Sequence, residues 1–295
     1  MAESIEFAKL SGSGNDFICL DNRDARHGAM LEDPAHIGRF ARALCHRGRG
    51  VGADGVIFAC RPEIEEVSQI AARFFEPDGS EAELCGNGTA CFVRWTSLNR
   101  WVSPGEVRIL TPAGIVRGLD CDGGYVRVCI PLPEGLRTGL SLTAGGRTWT
   151  CDYVVTGVPH LVVYVPDVEG LDMARWGPAF RFHEAFRPRG VNANFVQVLG
   201  EGRLAVRTWE FGVEGETLSC GTGSAAAAIL AARRFNWPAP YRTSEQPVLL
   251  RARSGDTLRV FLTEQADGAI SDLCLETLVR FLYTGRIHGD VLQNA

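Results

Sequence analysis

Residues 78–91 read Asp-Gly-Ser-Glu-Ala-Glu-Leu-Cys-Gly-Asn-Gly-Thr-Ala-Cys, a turn that ends in Cys85 and then two glycines before a helix-forming run. Residues 214–225 repeat the design as Glu-Gly-Glu-Thr-Leu-Ser-Cys-Gly-Thr-Gly-Ser-Ala, with Cys220 in the place of Cys85. One glycine-rich turn before a helix is a weak signal. Its repetition is much more specific, and it predicts a duplicated fold with one cysteine at the start of each of two helices.

The position of these cysteines suggests their chemistry. A helix N-terminus offers unpaired N–H groups and the positive end of the helix dipole, so a cysteine there tends toward the thiolate. A thiolate and a thiol on opposite faces of one carbon would remove a proton from one face and return one to the other, which is racemisation. The alternative is that both are buried, inert cysteines, as free cysteines often are.

The same helix starts are suited to an amino-acid carboxylate. Their glycines let the backbone approach a ligand closely, and their N–H groups attract an anion. Four residues would supply these N–H groups: Gly86, Asn87, Gly221 and Thr222.

Length and composition bound the class of protein. A chain of 295 residues is long for one core, which predicts two domains. A net charge of −5 with 45% hydrophobic residues is typical of a globular protein that does not bind nucleic acid. The most apolar run, 225–232, is too short to span a membrane. We therefore expect a small-molecule partner, without nucleic acid or membrane; a monomer and a homodimer are both compatible with the sequence.

The cysteine and lysine contents bear on compartment and cofactor. The ten cysteines form no CxxC pair or tight zinc-ligand cluster, and no secretory segment precedes them, so a cytoplasmic location is predicted. Lys9 is the only lysine among 30 basic residues and lies in an alternating strand, whereas pyridoxal phosphate enzymes need a Schiff-base lysine. The expected chemistry uses no cofactor and no metal.

Periodicity predicts an α/β (α+β) fold. A helix after Asp33 and Pro34, and strands near 17–20, 56–59 and 71–76, precede the first cysteine turn. Strands near 191–199 and 203–210 precede the second, and residues 131–135 are expected to form a loop or linker. Residues 191–198 resemble 15–20, as an internal duplication of these strands would produce. The predicted domains are 1–120 with 278–295, and 121–277. The helix over 224–232 is apolar all round and should be enclosed by strands.

The motifs together resemble diaminopimelate epimerase along nearly the whole chain. The matching segments are Gly14-Asn15-Asp16-Phe17, Gly52-Ala53-Asp54-Gly55, Asp78-Gly79-Ser80-Glu81, Cys85-Gly86-Asn87-Gly88, Pro159-His160, Gly190-Val191-Asn192, Gly215-Glu216-Thr217 and Cys220-Gly221-Thr222-Gly223.

The resemblance implies two pseudo-symmetric domains, each a mixed sheet around a central helix, with the active site in the cleft between them. It implies that Cys85 and Cys220 are the two bases and that the four N–H groups named above bind the reacting carboxylate. It also implies substrate contacts by Asn15, Asn192 and Glu210. His160 resembles a family histidine near the thiols; the alternative is a turn residue after Pro159.

Three positions depart from the family pattern. Glu76 and Val158 replace asparagines, and Phe211 replaces the arginine that follows Glu210. Two carboxylates without a cation favour a basic amino acid, histidine-like, over diaminopimelate. Two alternatives stay open at this point: Glu76 points to solvent or pairs with Arg73, or the protein is a diaminopimelate epimerase that uses an arginine from elsewhere.

Other function classes remain to be weighed. A proline-type racemase fits the two cysteines but lacks the Gly-Asn-Asp-Phe and Pro-His segments. A non-catalytic amino-acid-binding relative would not need both cysteines. A thiol–disulfide oxidoreductase is disfavoured by the lack of CxxC.

Overall fold

The computed structural model describes residues 4–63 and 67–289. The chain divides into two compact units, the first comprising Met1–Val128 and Thr277–Ala295 and the second Cys129–Glu276. Each unit is a mixed sheet with few helices, so the predicted α/β class is confirmed.

The first unit contains the elements before residue 130, together with residues 277–287 of the last strand. The strands are β1 (Ile5–Gly12), β2 (Asn15–Asp21), β3 (Gly55–Cys60), β4 (Ile70–Phe75), β5 (Glu81–Ala82), β6 (Glu106–Thr111), β7 (Gly114–Asp120) and β8 (Tyr125–Cys129). The helices are α1 (Gly28–Leu31), α2 (Pro34–Cys45) and α3 (Gly86–Leu98). The Asp33 side chain caps α2 by accepting hydrogen bonds from the N–H groups of Ala35 and His36, as the sequence predicts.

The second unit follows the same order of elements. The strands are β9 (Glu134–Ala144), β10 (Arg147–Thr156), β11 (Val158–Tyr164), β12 (Asn192–Gly200), β13 (Arg203–Glu210), β14 (Gly215–Thr217), β15 (Val248–Arg251), β16 (Thr257–Glu264) and β17 (Ile270–Ile287). The helices are α4 (Met173–Arg181) and α5 (Gly221–Arg234).

The strand ladder of the first unit surrounds α3. The strands β1 and β2 pair antiparallel, β2 and β3 parallel, β3 and β4 antiparallel, and β4 and β6 parallel. The end of β17 returns to pair with β1, and β8 also pairs with β17, so the ladder closes. Helix α3 contacts β1, β2, β3 and β7, and its Cys91 is fully buried, as predicted for a core residue.

The second unit repeats these pairings around α5. The strands β10 and β11 pair antiparallel, β11 and β12 parallel, β12 and β13 antiparallel, and β13 and β15 parallel. Helix α5 contacts β10, β11, β12, β13, β15 and β16, and residues 225–232 are fully buried. An alanine-rich helix has no bulky face, so strands can pack against it on most sides. The predicted central, buried helix is confirmed.

The pairing directions correct two expectations. Because β11 and β12 pair in parallel like β2 and β3, the counterpart of β2 is β11, and the expected correspondence of residues 191–198 in β12 with residues 15–20 in β2 is wrong. The two strands share a similar residue pattern, and only the pairing tells them apart. The predicted linker at 131–135 is also wrong at its end, because Glu134 begins β9, which pairs with β10.

One covalent link could not be seen in the sequence. Cys129 and Cys274 form a disulfide across a separation of 145 residues, and beside them the N–H of Ile130 donates to the carbonyl of Leu273. Together with Asp272 these cysteines are the group of potential metal ligands found among the described residues, and their sulfurs are already bonded to each other. In residues 4–63 and 67–289, no helix has the length and hydropathy that a membrane crossing requires.

The approach of β7 to α3 depends on Gly118. A Cβ atom there would lie 2.4 Å from Cγ2 of Val93. We expect Gly118→Ala to lower the free energy of unfolding by roughly 1–3 kcal/mol, because valine is stiff and the core is closely packed. Urea denaturation measures this change.

The matched control is Val93→Ala combined with Gly118→Ala. The alanine methyl at position 118 then occupies space that Val93 vacates. The double variant should therefore lose less free energy of unfolding than the two single variants lose together, by roughly 0.5 kcal/mol or more. Strict additivity would contradict this packing contact.

Candidate active site

The two cysteine turns match in detail. Cys85 is the N-cap of α3 with φ −127° and ψ 112°, and Cys220 is the N-cap of α5 with φ −124° and ψ 111°. Four residues on, a hydroxyl returns to each cap carbonyl, from Thr89 Oγ1 at 2.8 Å and from Ser224 Oγ at 2.9 Å. The predicted duplication therefore extends to the backbone torsions and hydrogen bonds of the turns.

The glycines of each turn keep space around the sulfur. A Cβ atom at Gly88 would lie 3.3 Å from Cys85 Sγ, and one at Gly223 would lie 3.3 Å from Cys220 Sγ and 2.3 Å from Asn194 Oδ1. At Gly86, the first helical residue, a Cβ would meet nothing within 4 Å. The Cβ side of Gly86 at the start of α3 is thus open, so no side chain of that residue would stand in the way of a ligand.

The two sulfurs have different neighbours. Cys85 is partly buried, and its Sγ accepts a hydrogen bond from the Gly88 N–H at 3.4 Å. Cys220 is 8% exposed, and its Sγ lies 3.6 Å from Thr222 Oγ1. A backbone amide serves the first sulfur and a side-chain hydroxyl the second.

A buried polar chain orients the Thr222 hydroxyl. Asn194 Nδ2 lies 3.0 Å from the carbonyl oxygen of Leu161, which can only accept, so this atom is a donor. It also lies 3.2 Å from His160 Nδ1, which must therefore accept. The hydrogen of His160 is then on Nε2, which donates to Thr222 Oγ1 at 3.0 Å. The remaining partner for the Thr222 hydroxyl hydrogen is Cys220 Sγ, a donation that favours the thiolate.

The ionisation of His160 agrees with this chain. Its side chain is fully buried, and burial lowers the pKa of the imidazole to about 3. It is therefore neutral at pH 7, with one donor and one acceptor nitrogen. His160 lies within β11 opposite Asn192, so the alternative of a turn residue is wrong.

Asn15 and Asn87 meet in the first unit. Asn15 Nδ2 donates to Asp54 Oδ2 at 3.2 Å, which leaves its Oδ1 to accept from Asn87 Nδ2 at 2.8 Å. Asn87 Oδ1 is buried and has no hydrogen-bond partner among the described residues. The arrangement leaves a buried acceptor on the second residue of α3, next to the cysteine turn.

An ion network holds Asp54 and Asn15 in place. Arg47 pairs with Asp54 at 2.9 Å and with Asp16 at 2.6 Å, and buried Lys9 pairs with Asp16 at 2.8 Å. Burial alone would raise the pKa of Asp16, but hydrogen bonds from Arg47 and Lys9 hold it below its usual range. The network holds Asn15 in place through Asp54. Lys9, the only lysine in the sequence, is engaged in it.

Asn192 and Glu210 are joined through the residue after Glu210. Asn192 Oδ1 accepts from the Phe211 N–H at 2.7 Å. Glu210 is partly buried, and Thr217 Oγ1 donates to its Oε2 at 2.8 Å. Burial raises the pKa of Glu210, while the Thr217 hydrogen bond acts in the opposite direction. These contacts hold the start of β12 and the end of β13 to the segment that leads into the second cysteine turn.

Glu76 lies just after β4, partly buried, and its backbone N–H donates to the Ser80 carbonyl at 2.8 Å. Arg73 pairs with Glu81 at 2.6 Å. The second unit repeats this pair as Arg207 with Glu216, again at 2.6 Å. The Arg73 guanidinium is thus paired with Glu81, and the Arg207 guanidinium is paired with Glu216 in the same way.

Sequence reasoning missed three groups of polar residues. Asp54 belongs to a segment that resembles the family and Asn194 follows another such segment, but their contacts with Asn15 and His160 join distant residues. Two arginines, Arg181 and Arg189, lie with their Cζ atoms 4.2 Å and 5.6 Å from the centroid of the Phe211 ring. Nothing in the residue pattern places these arginines beside Phe211.

Solved structures share this fold at low sequence identity. A phenazine biosynthesis protein of the PhzF family from Bacillus anthracis has a TM-score of 0.72 at 15% identity and covers 97% of this chain and 99% of its own. A probable proline racemase from Agrobacterium radiobacter K84 has a TM-score of 0.68 at 15% identity, covering 96% of this chain and 92% of its own. At these identities the likeness establishes the fold alone.

Sequence relatives define the class and the family. The diaminopimelate epimerase of Aquifex aeolicus (strain VF5) is 38% identical over 291 residues, which cover 98% of this chain and 100% of that protein. The diaminopimelate epimerase of Methanocella arvoryzae is 39% identical over 240 residues, covering 77% and 81%. The protein is an isomerase of the racemase and epimerase class. The family model for diaminopimelate epimerase matches residues 7–127 and 153–258, and the chain belongs to that family.

The buried, neutral His160 makes stability depend on pH. Its pKa is about 3 in the folded protein and about 6.5 in the unfolded chain, so its contribution is present above pH 6.5 and is lost as pH falls toward 3. We expect the stability difference between wild type and His160→Gln to shrink by roughly 2–3 kcal/mol between pH 7 and pH 4.

Denaturant unfolding at several pH values measures this difference. His36→Gln, at an exposed position on α2, is the control for replacing a histidine. A difference between wild type and His160→Gln that stays constant with pH would show that His160 is not held neutral.

The Thr222 hydroxyl should activate Cys220. We expect Thr222→Val to slow alkylation of Cys220 by iodoacetamide at pH 7 by about tenfold, because the thiolate loses a hydrogen-bond donor. Thr222→Ser, which keeps the hydroxyl, should react like wild type. Peptide mapping by mass spectrometry separates Cys220 from Cys85, whose rate should not change. Equal rates in the valine and serine variants would contradict the role of the hydroxyl.

Proposed function

We propose that the protein inverts the α-carbon of an amino acid by two-base proton transfer between Cys85 and Cys220, and that diaminopimelate is its substrate. One observation carries the proposal: the two cysteines occupy N-caps with nearly the same torsions, at the starts of two enclosed helices. Such a pair of equivalent bases suits a reaction that removes a proton from one face of a carbon and returns one to the other.

Each sulfur has a hydrogen-bond donor that would stabilise its thiolate, the Gly88 N–H at Cys85 and the Thr222 hydroxyl at Cys220. In one direction Cys220 is the thiolate that takes the α-proton, and the Cys85 thiol donates a proton to the opposite face. After one turnover Cys85 is the thiolate and Cys220 the thiol. The reverse reaction, or proton exchange with water, restores the starting state.

The helix starts would bind the reacting amino acid. Negative charge develops on the carboxylate as the α-proton leaves, and fixed N–H donors stabilise that charge without reorganising. The N–H groups of Gly86 and Asn87, and those of Gly221 and Thr222, stand at the first two positions of their helices. The unpaired Asn87 Oδ1 would accept a hydrogen bond from the substrate ammonium.

The surroundings of Lys9 support chemistry without pyridoxal phosphate. Lys9 is 3% exposed and pairs with Asp16 at 2.8 Å, and its Nζ also donates to the Gly52 carbonyl. A Schiff base at this position would take away Nζ hydrogens that now serve Asp16 and the Gly52 carbonyl.

The relatives favour diaminopimelate over a basic amino acid. The expectation of a histidine-like substrate rested on carboxylates without a nearby cation. Arg181 and Arg189 lie beside Phe211, directly after Glu210, so the lack of an arginine at position 211 does not by itself disfavour a substrate with a second carboxylate. A basic amino acid remains the second candidate, because Glu210 and the half-exposed Phe211 ring would suit a cation with an apolar stem.

Replacement of each cysteine tests the mechanism. We expect Cys85→Ala and Cys220→Ala to lower the rate of inversion at least about a hundredfold, because each removes one of two proton-transfer groups. Cys85→Ala should still exchange the α-proton of the isomer that faces Cys220, without inverting it. Proton NMR in deuterated water measures exchange, and chiral chromatography measures inversion.

Cys121→Ala is the control, at a partly exposed cysteine outside both turns. Inversion at the wild-type rate by Cys85→Ala would contradict the two-base mechanism. Wild-type protein is also assayed with histidine, lysine, ornithine and arginine. Faster turnover of any of these than of diaminopimelate would refute the proposed substrate but leave the mechanism intact.

A further inference from the structure

The turn between α4 and β12 carries an exposed arginine to the aromatic ring that follows Glu210. Arg189 Cζ lies 5.6 Å from the centroid of the Phe211 ring. Phe211 is itself fixed by its hydrogen bond to Asn192 Oδ1 at 2.7 Å. Glu210 is joined through Thr217 to the segment that leads into Cys220. Arg189 therefore stands next to Phe211, and a hydrogen bond joins the neighbouring Glu210 to the segment that leads into Cys220.

Arg181 holds the turn in place. It is 4% exposed, its Nη2 pairs with Glu214 Oε1 at 2.8 Å, and its Nη1 donates to the carbonyl of Arg189 at 2.9 Å. Its own carbonyl accepts from the Val191 N–H at 3.2 Å. Glu214 belongs to the loop that begins with Phe211. Arg181 thus ties the turn carrying Arg189 to the loop carrying Phe211, and its buried guanidinium is engaged within the protein.

Gly190 allows this close approach. Its φ is 74°, a conformation that side chains disfavour, and a Cβ there would lie 2.1 Å from Arg181 Nη1. The turn that presents Arg189 is therefore built around the Arg181 guanidinium and needs glycine next to Arg189.

The guanidinium of Arg189 differs from that of Arg181. It is exposed, and the hydrogen bonds and ion pairs within residues 4–63 and 67–289 include none from its side chain. Within this part of the chain, the Arg189 side chain contacts the Phe211 ring. A guanidinium stacked on an aromatic ring keeps its N–H edge for an anion, and its planar fork matches a carboxylate.

We propose that Arg189 is a specificity-determining residue that binds the second carboxylate of an α-amino acid substrate. The proposal rests on the proposed function and names its substrate class: amino acids whose side chain ends in a carboxylate. Phe211 stands where an arginine would follow Glu210, and it supports a guanidinium supplied from the 187–190 turn instead.

The test compares Arg189→Gln with Arg187→Gln, which removes the same charge two residues away on the same exposed turn. Each is assayed with diaminopimelate, with 2-aminopimelate, which has the second carboxylate but no second amino group, and with lysine, which has the second amino group but no second carboxylate. We expect Arg189→Gln to raise KM for both dicarboxylates about 10- to 100-fold with kcat within about threefold of wild type. Its KM for lysine should not rise, and Arg187→Gln should match wild type throughout.

Equilibrium binding separates this proposal from the proposed function. Dissociation constants for the same three compounds are measured by calorimetry on Cys220→Ala protein, with and without Arg189→Gln. Weaker binding of both dicarboxylates on loss of Arg189 supports the proposal even if wild-type protein inverts neither of them. Binding that Arg189→Gln leaves unchanged, that falls equally for lysine, or that is missing for dicarboxylates in the parent protein overturns it. Circular dichroism and melting temperature verify that the variants are folded.

Discussion

The enclosure of a short helix by strands is the constraint on which both units depend. Strands can pack on most sides of α5 because residues 225–232 are small and apolar, and these residues are fully buried. In the first unit α3 meets β7 at Gly118, where there is no room for a side chain. A helix held on most sides cannot shift its start. The N-caps Cys85 and Cys220 are consequently held by the cores of their units, and their backbone torsions agree within a few degrees.

Duplication preserved the frame of the site and let its polar neighbours diverge. The ion pair of Arg73 with Glu81 recurs as Arg207 with Glu216, at the same place beside each cysteine turn. Beyond the frame the two units differ. An asparagine, Asn87, follows the first glycine in one turn, and Thr222 follows it in the other. A backbone N–H serves one sulfur and an oriented hydroxyl the other. Equivalent geometry with unequal hydrogen bonding suits two bases that start a turnover in different protonation states.

Two arginines from another segment of the second unit lie beside the residue that follows Glu210. Arg181 is buried at the end of α4 and paired with Glu214, and its side chain supports the turn that carries Arg189. Two guanidinium groups therefore lie over a phenylalanine at the position where the family has an arginine. A substitution that appears to remove a cation is accompanied here by cations from another segment. Substrate choice cannot be judged from the substituted position alone.

The sequence by itself determined the duplicated cysteine turns, the capped helices, the enclosed alanine-rich helix and the family. These features are local, because capping and helical periodicity depend on residues a few positions apart. Only the tertiary structure decided that β12, which begins at Asn192, corresponds to β3 and not to β2. Strands with similar residue patterns do not reveal whether they pair in parallel or antiparallel. It also decided the tautomer of His160 through Asn194, the pairing of Lys9 with Asp16, and the placement of Arg189 beside Phe211. Each of these joins side chains that are brought together by strand pairing or by a turn, and the energy of such contacts is set by burial and distance in space.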